Sequence, residues 1–165
     1  MKAIDPFVCA RLGRVFEEEL PLDVMGRLVP MLLDTQGGVI VHLCFDVDAE
    51  GQPYFSGNIK ATLILACQRC MKAMEHNVDI DVKLGLVKTE QQMTQLSESY
   101  EPVLIENNEI LLSRLIEDEL VLALPAYAKH DTDQCANQAF HVEFESKEPE
   151  KINPFDVLIK LKKSE

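Results

Sequence analysis

Two cysteines separated by two residues, Cys67 and Cys70, and a histidine and cysteine five positions apart, His130 and Cys135, are the side chains of this 165-residue chain whose types and spacing can do chemistry. A C-x-x-C pair brings two sulfurs close enough to grip one metal ion or to form one disulfide, so the spacing alone does not choose. A structural zinc site needs four soft or borderline ligands, commonly one C-x-x-C turn and a second pair from elsewhere. His130 and Cys135 complete such a Cys3His set, with Asp131 or Asp133 available to accept from the second imidazole nitrogen or to replace a ligand. The gap from Cys70 to His130 exceeds the roughly 15–20 residues usual between zinc-ribbon halves. Two other readings therefore stay open. In one, Cys67 and Cys70 are reduced thiols at a strand end and His130 is a surface residue. In the other the pair is a thioredoxin-like redox couple, although no βαβ unit or helix N-terminus follows to acidify a thiol. Arg69 and Lys72 favour thiolates, which serves metal binding and redox chemistry alike.

The elements that would position these groups begin with the stretch around the cysteines. Leu63 and Leu65 alternate into the turn, and Val78, Ile80, Val82, Leu84 and Leu86 alternate out of it, which predicts a β-hairpin tipped by thiols. Upstream, Gly38 to Asp48 alternates as a strand, with His42 and Cys44 on its outer face. Ala49 to Pro53 supplies turn chemistry, and Tyr54 to Leu65 returns as the next strand. Three or four antiparallel strands follow, with one buried and one wet face.

Nearer the N-terminus, Val8 to Leu20 reads as extended. Leu22, Met25, Leu28, Val29, Leu32 and Leu33 recur at helical spacing, with Gly37-Gly38 as a stop and Pro30 an awkward occupant. Lys88 to Ser99 is polar and reads as a mobile loop or a frayed helical turn. Tyr100 to Glu106 forms a short strand, and Asn107-Asn108 a turn. Leu111 to Leu124 is the second main helix, with Ser113 as a candidate cap. Its acids Glu117, Asp118 and Glu119 point about 100° apart on a helix, so they cannot converge as a catalytic pair and read as a solvated face. Pro125 ends the helix. Residues 140–152 read as a flexible strap, and Asn153-Pro154-Phe155-Asp156 opens a short C-terminal helix that docks on the domain. The fold class is α+β: one domain over residues 1–165, with an antiparallel sheet, two main helices, a short C-terminal helix and a cysteine-tipped hairpin that approaches the 130–135 loop.

Charge narrows the function. The chain carries 28 acids against 16 bases, net −12, which opposes wrapping nucleic acid by bulk electrostatics. Residues 98–156 hold 14 acids and 4 bases, whereas Lys160, Lys162 and Lys163 make the tail locally basic. Five cysteines without a cleavable N-terminal signal, and no window near 18 apolar residues, predict a reducing cytoplasmic setting and no membrane span. No nucleophile and base stand at a recognisable spacing, so no enzyme activity and no small-molecule substrate are expected.

Five blocks carry a further signal: CQRC after a strand, YEPV from Tyr100 to Val103, IEDELVLALP from Ile116 to Pro125, HDTDQC from His130 to Cys135, and NPFDVLIKLK near the end. Together they resemble the large ribosomal RNA subunit accumulation protein family. The resemblance implies a bacterial cytoplasmic protein that supports accumulation of 23S ribosomal RNA and so of the large ribosomal subunit, with no assigned enzymatic activity. It supplies no catalytic residues. Two ways of working fit. As an adaptor, the chain would offer acids such as Glu117 and Asp118 to a basic ribosomal or RNA-processing protein on the precursor particle. As an RNA binder, it would use Arg69, Lys72, Lys160, Lys162 and Lys163 against phosphates. Net charge favours the adaptor.

Overall fold

Alternation of apolar and polar residues between positions 38 and 87 produces three long antiparallel strands: β2 (Gly38–Val47), β3 (Pro53–Ala66) and β4 (Ala73–Val87). The computed structural model describes residues 3–131 and residue 135. Register aligns Val41 with Ile59 and Ile59 with Ile80, so apolar rows run across the sheet on one face. Phe45 and Phe55 meet there with ring centroids 5.1 Å apart, both fully buried. The opposite face is wet and laced by polar pairs: Lys60 to Asp79 at 3.1 Å, Thr62 to Asn77 at 2.8 Å, and His42 to Glu17 at 3.1 Å. Gly57 has no room for a side chain, because a Cβ would collide with the His42 carbonyl of the neighbouring strand.

Two further strands complete the order β1-β2-β3-β4-β5. β1 (Val15–Pro21) pairs antiparallel with β2, and β5 (Glu101–Leu104) pairs parallel with β4. A parallel neighbour cannot follow a tight turn; it needs a crossover of about a dozen residues or more. Residues 88–100 are that crossover. They contain a short helix, α2 (Glu90–Gln95), whose first turn is capped by Thr89 accepting from the Gln92 N–H. Of the mobile loop or frayed helical turn expected over 88–99, the structure has a helical turn. Asn107 and Asn108, both at positive φ, make the expected turn after β5.

Among the described residues the fold is α+β, a five-stranded sheet with three α-helices, but two N-terminal expectations need correction. Val8 to Leu20 is not extended throughout. Asp5 accepts from the Phe7 and Val8 N–H groups at 2.9 and 3.0 Å, and Pro6 fills the first position of a short helix, α1 (Pro6–Arg11), before β1 begins. The helical stripe from Leu22 to Leu33 is not an α-helix either. It folds as two short 3-10 turns, Leu22–Val24 and Val29–Met31, with Gly26 between them and Pro30 inside the second. The apolar spacing still buries Leu22, Met25 and Leu28, yet the proline and glycine deny the backbone a continuous ladder.

What satisfies that broken backbone is a residue expected to face solvent. Helix α3 (Leu112–Ala123) starts from Leu111, with no side-chain cap; Ser113 lies inside it. Its Glu117 is 5% exposed. The carboxylate accepts from the backbone N–H of Arg27 at 2.6 Å and of Leu28 at 3.2 Å, and from the Arg27 guanidinium at 3.1 Å. Asp118, half-exposed, also pairs with Arg27. The three acids do diverge around the helix, but the solvated face expected of them excludes Glu117. Burial pushes the Glu117 carboxyl up; the Arg27 and Leu28 N–H groups and the guanidinium outweigh it and hold the carboxyl below its ordinary range.

Among the described residues no helix is long and apolar enough to cross a membrane. The expected strap over 140–152, the C-terminal helix from Asn153, Asp133, and the tail lysines Lys160, Lys162 and Lys163 lie outside the described residues.

The Glu117 clamp makes a prediction. Glu117→Ala leaves the N–H of buried Leu28 without its acceptor and should lower unfolding free energy by about 1–3 kcal/mol in urea titrations. The half-exposed guanidinium adds little. Since the folded carboxyl is depressed, its contribution is complete above the unfolded value of about 4.3 and is lost as pH falls through the lower folded value. Glu117→Gln should therefore differ most from wild type near neutrality and converge with it in acid.

Candidate metal centre

The β3–β4 hairpin is closed by a tight turn whose hydrogen bonds run from Cys67 N to Lys72 O at 2.9 Å and from Met71 N to Cys67 O at 2.7 Å, with Met71 at positive φ. Cys67 is fully buried and Cys70 half-buried at this tip. The second pair arrives from α3. The helix ends against β4, where His76 Nε2 donates to the Ala123 carbonyl at 3.3 Å, and the outgoing chain passes the hairpin tip, where Gln68 N donates to Ala128 O at 2.8 Å. His130 and Cys135 thereby face Cys67 and Cys70 across some sixty residues of sequence.

Ligand-capable atoms of all four side chains lie within 4.8 Å of one another. Cys67 Sγ is 4.0 Å from Cys135 Sγ, and Cys70 Sγ is 3.5 Å from His130 Nδ1. For a tetrahedral zinc ion with bonds of about 2.3 Å to sulfur and about 2.0 Å to nitrogen, edges of about 3.8 and about 3.5 Å are required. The donor set fits. Its histidine is also oriented for the task. His130 Nε2 donates to the Ala73 carbonyl at 3.1 Å, which puts the ring proton on Nε2 and leaves the Nδ1 lone pair aimed at Cys70. That acceptor is a backbone carbonyl, where sequence suggested Asp131 or Asp133; Asp131 is exposed.

Electrostatics favour thiolate at one sulfur first. Burial raises the Cys67 thiol, but backbone N–H groups of Cys70, His130 and Arg69 aim at its sulfur and bring its pKa down to about 5. Cys70 goes the other way: the Lys72 N–H lowers it, while burial and the Cys67 and Cys135 sulfurs prevail and raise it. Crowded thiolates repel one another, and a divalent cation among them removes that repulsion.

Arg69 turns to the site as well. Its Nε donates to Cys135 Sγ at 2.9 Å and its Nη2 to the His130 carbonyl at 3.1 Å. The other cysteines stand apart from this group: Cys9 on α1, its thiol raised by burial, and Cys44 on β2, whose neighbour His42 pairs with Glu17. The carbonyl of Ala73 and the N–H groups of the turn escaped the sequence, which carries no signal for backbone groups. That Arg69 bridges both halves was foreshadowed only by its position between the cysteines.

Known proteins place the chain. A family model described as the large ribosomal RNA subunit accumulation protein YceD matches residues 55–162, which include the cysteine turn, β4, α3 and all four donor residues. A protein of Haemophilus influenzae named large ribosomal RNA subunit accumulation protein YceD is 32% identical over 164 residues, covering 96% of this chain and 94% of its own length. No solved structure matches. With most of its length aligned to that relative and the hairpin-to-helix core inside the family match, the chain belongs to the large ribosomal RNA subunit accumulation protein family.

Proposed function

We propose that this protein is a non-enzymatic cytoplasmic factor that supports accumulation of 23S ribosomal RNA and biogenesis of the large ribosomal subunit. Membership of the family, through the name its members carry, is the observation behind this reading. It acts as an acidic adaptor, offering its surface to a basic ribosomal or RNA-processing protein on the precursor particle. A net charge of −12 supports the adaptor over direct RNA binding, since it repels phosphate at long range and attracts a basic partner. Two details revise which residues serve. Glu117 is committed to Arg27 and Leu28, so Asp118 is the one of the pair left at the surface. Arg69 is directed at Cys135 and His130, which argues against a phosphate-contact role.

Cys67, Cys70, His130 and Cys135 hold one structural zinc ion, which ties the chain after α3 to the hairpin tip. The fit of the 4.0 and 3.5 Å separations to tetrahedral edges supports this.

Two measurements test the proposal. Protein purified without chelator should contain close to one zinc per chain, and stripping it should lower the melting temperature, because assembling the site is linked to folding. Protein free of zinc that melts unchanged after chelation rules the metal out. For the adaptor, pull-downs with and without ribonuclease should retain the same basic partners, and naked ribosomal RNA should bind weakly near 0.15 M salt. Tight RNA binding abolished by replacing Lys160, Lys162 and Lys163 would favour the direct RNA binder.

A further inference from the structure

Three thiolates and a neutral imidazole around a divalent ion leave one negative charge in excess, within a chain already at −12. Such a centre is strengthened by a group that offsets that charge and holds the second ligand pair, which comes from a distant part of the chain, onto the first. We propose that Arg69 is the positioning residue of the metal centre: it offsets the excess charge, fastens Cys135 and His130 to the hairpin, and shields the Cys135 sulfur from electrophiles. This rests on the zinc reading above.

The geometry carries it. Arg69 stands between Cys67 and Cys70, so the turn that presents two ligands also presents the guanidinium. From there it reaches both residues of the other pair at once, Nε to Cys135 Sγ at 2.9 Å and Nη2 to the His130 carbonyl at 3.1 Å. A planar guanidinium has donors in a fixed fork that satisfies two acceptors in a set relative position, which the single point charge of lysine does not reproduce. The other sulfurs are served differently. Cys67 Sγ is faced by the backbone N–H groups of Cys70, His130 and Arg69, and Cys70 Sγ by that of Lys72. Cys67 and Cys70 also meet the other ligand side chains, whereas Cys135 Sγ takes a hydrogen bond from a guanidinium that is not itself a ligand, and that side chain is what mutation can remove without removing a ligand. A thiolate whose lone pair accepts a charge-assisted hydrogen bond is a weaker nucleophile and a better-anchored ligand.

The test compares full-length wild type, Arg69→Lys and Arg69→Gln, each zinc-loaded. It reads zinc affinity by competition with a chromophoric chelator, the visible spectrum after cobalt substitution, and the rate at which iodoacetamide alkylates each cysteine, followed by peptide mass spectrometry. Arg69→Gln should keep the tetrahedral cobalt spectrum, lose about 10–100-fold in zinc affinity, and expose Cys135 to faster alkylation than Cys67 or Cys70. Arg69→Lys should recover part of the affinity through its charge but not the protection of Cys135, and it carries the comparison should the glutamine variant fail to fold. Wild type that holds zinc, beside variants with unchanged affinity and unchanged Cys135 alkylation, overturns the role of Arg69 and leaves the metal reading standing. Wild type that holds no zinc overturns both.

Discussion

The β3–β4 ladder is the constraint on which the rest depends. It pairs residues without interruption from Tyr54 with Gly85 to Ala66 with Ala73, longer than either strand's other partnership. Along its first half β2 covers β3, and the β4 end is covered by the crossover and β5. Toward the tip β2 has ended, and the Leu33-Asp34 segment takes its place through a bond from Leu33 N to Ile64 O at 2.7 Å. The cysteine turn therefore stands on the β3–β4 ladder beyond the end of β2, flanked by the Leu33-Asp34 segment on one side and the end of α3 on the other. It can meet a distant loop without disturbing the sheet.

The same ladder explains why α3 matters to both ends of the molecule. Its apolar face, Leu115, Ile116 and Leu120, packs into the core, and its C-terminal turn is held to β4 by His76. Glu117 meanwhile captures the irregular segment between β1 and β2. A carboxylate that accepts two neighbouring backbone N–H groups does what a helix ladder would have done for them, and a segment containing glycine and proline can then be packed without leaving buried donors unmet. One helix thus anchors the N-terminal turns with its first half and delivers the donor-bearing loop with its end.

Charge is distributed in keeping with this division. On the wet face of the sheet Glu17, Asp79 and Asp81 have histidine, lysine and amide partners, while the hairpin tip brings the Arg69 guanidinium and backbone N–H groups to sulfur. The N–H groups at the tip favour thiolate at Cys67, whereas the crowded sulfurs raise Cys70, and a divalent cation is the species that relieves that crowding.

Strand alternation determined the sheet by itself: Val39 to Val47 and Val78 to Leu86 specify which face is buried whatever surrounds them, since period two leaves no other register for a one-sided core. The ordered blocks CQRC, IEDELVLALP and HDTDQC were equally legible, and so were the four donor residues as types. Tertiary structure decided the rest. Leu22, Met25 and Leu28 have helical spacing, but spacing reports which residues are buried, not the path of the backbone between them, and that path was set by Gly26, Pro30 and a carboxylate 90 residues away. Glu117 looked solvated because a helix face becomes wet or buried only by what packs against it. Whether His130 and Cys135 reach Cys67 and Cys70 depended on where α3 ends against β4, a distance through space that no spacing along the chain encodes.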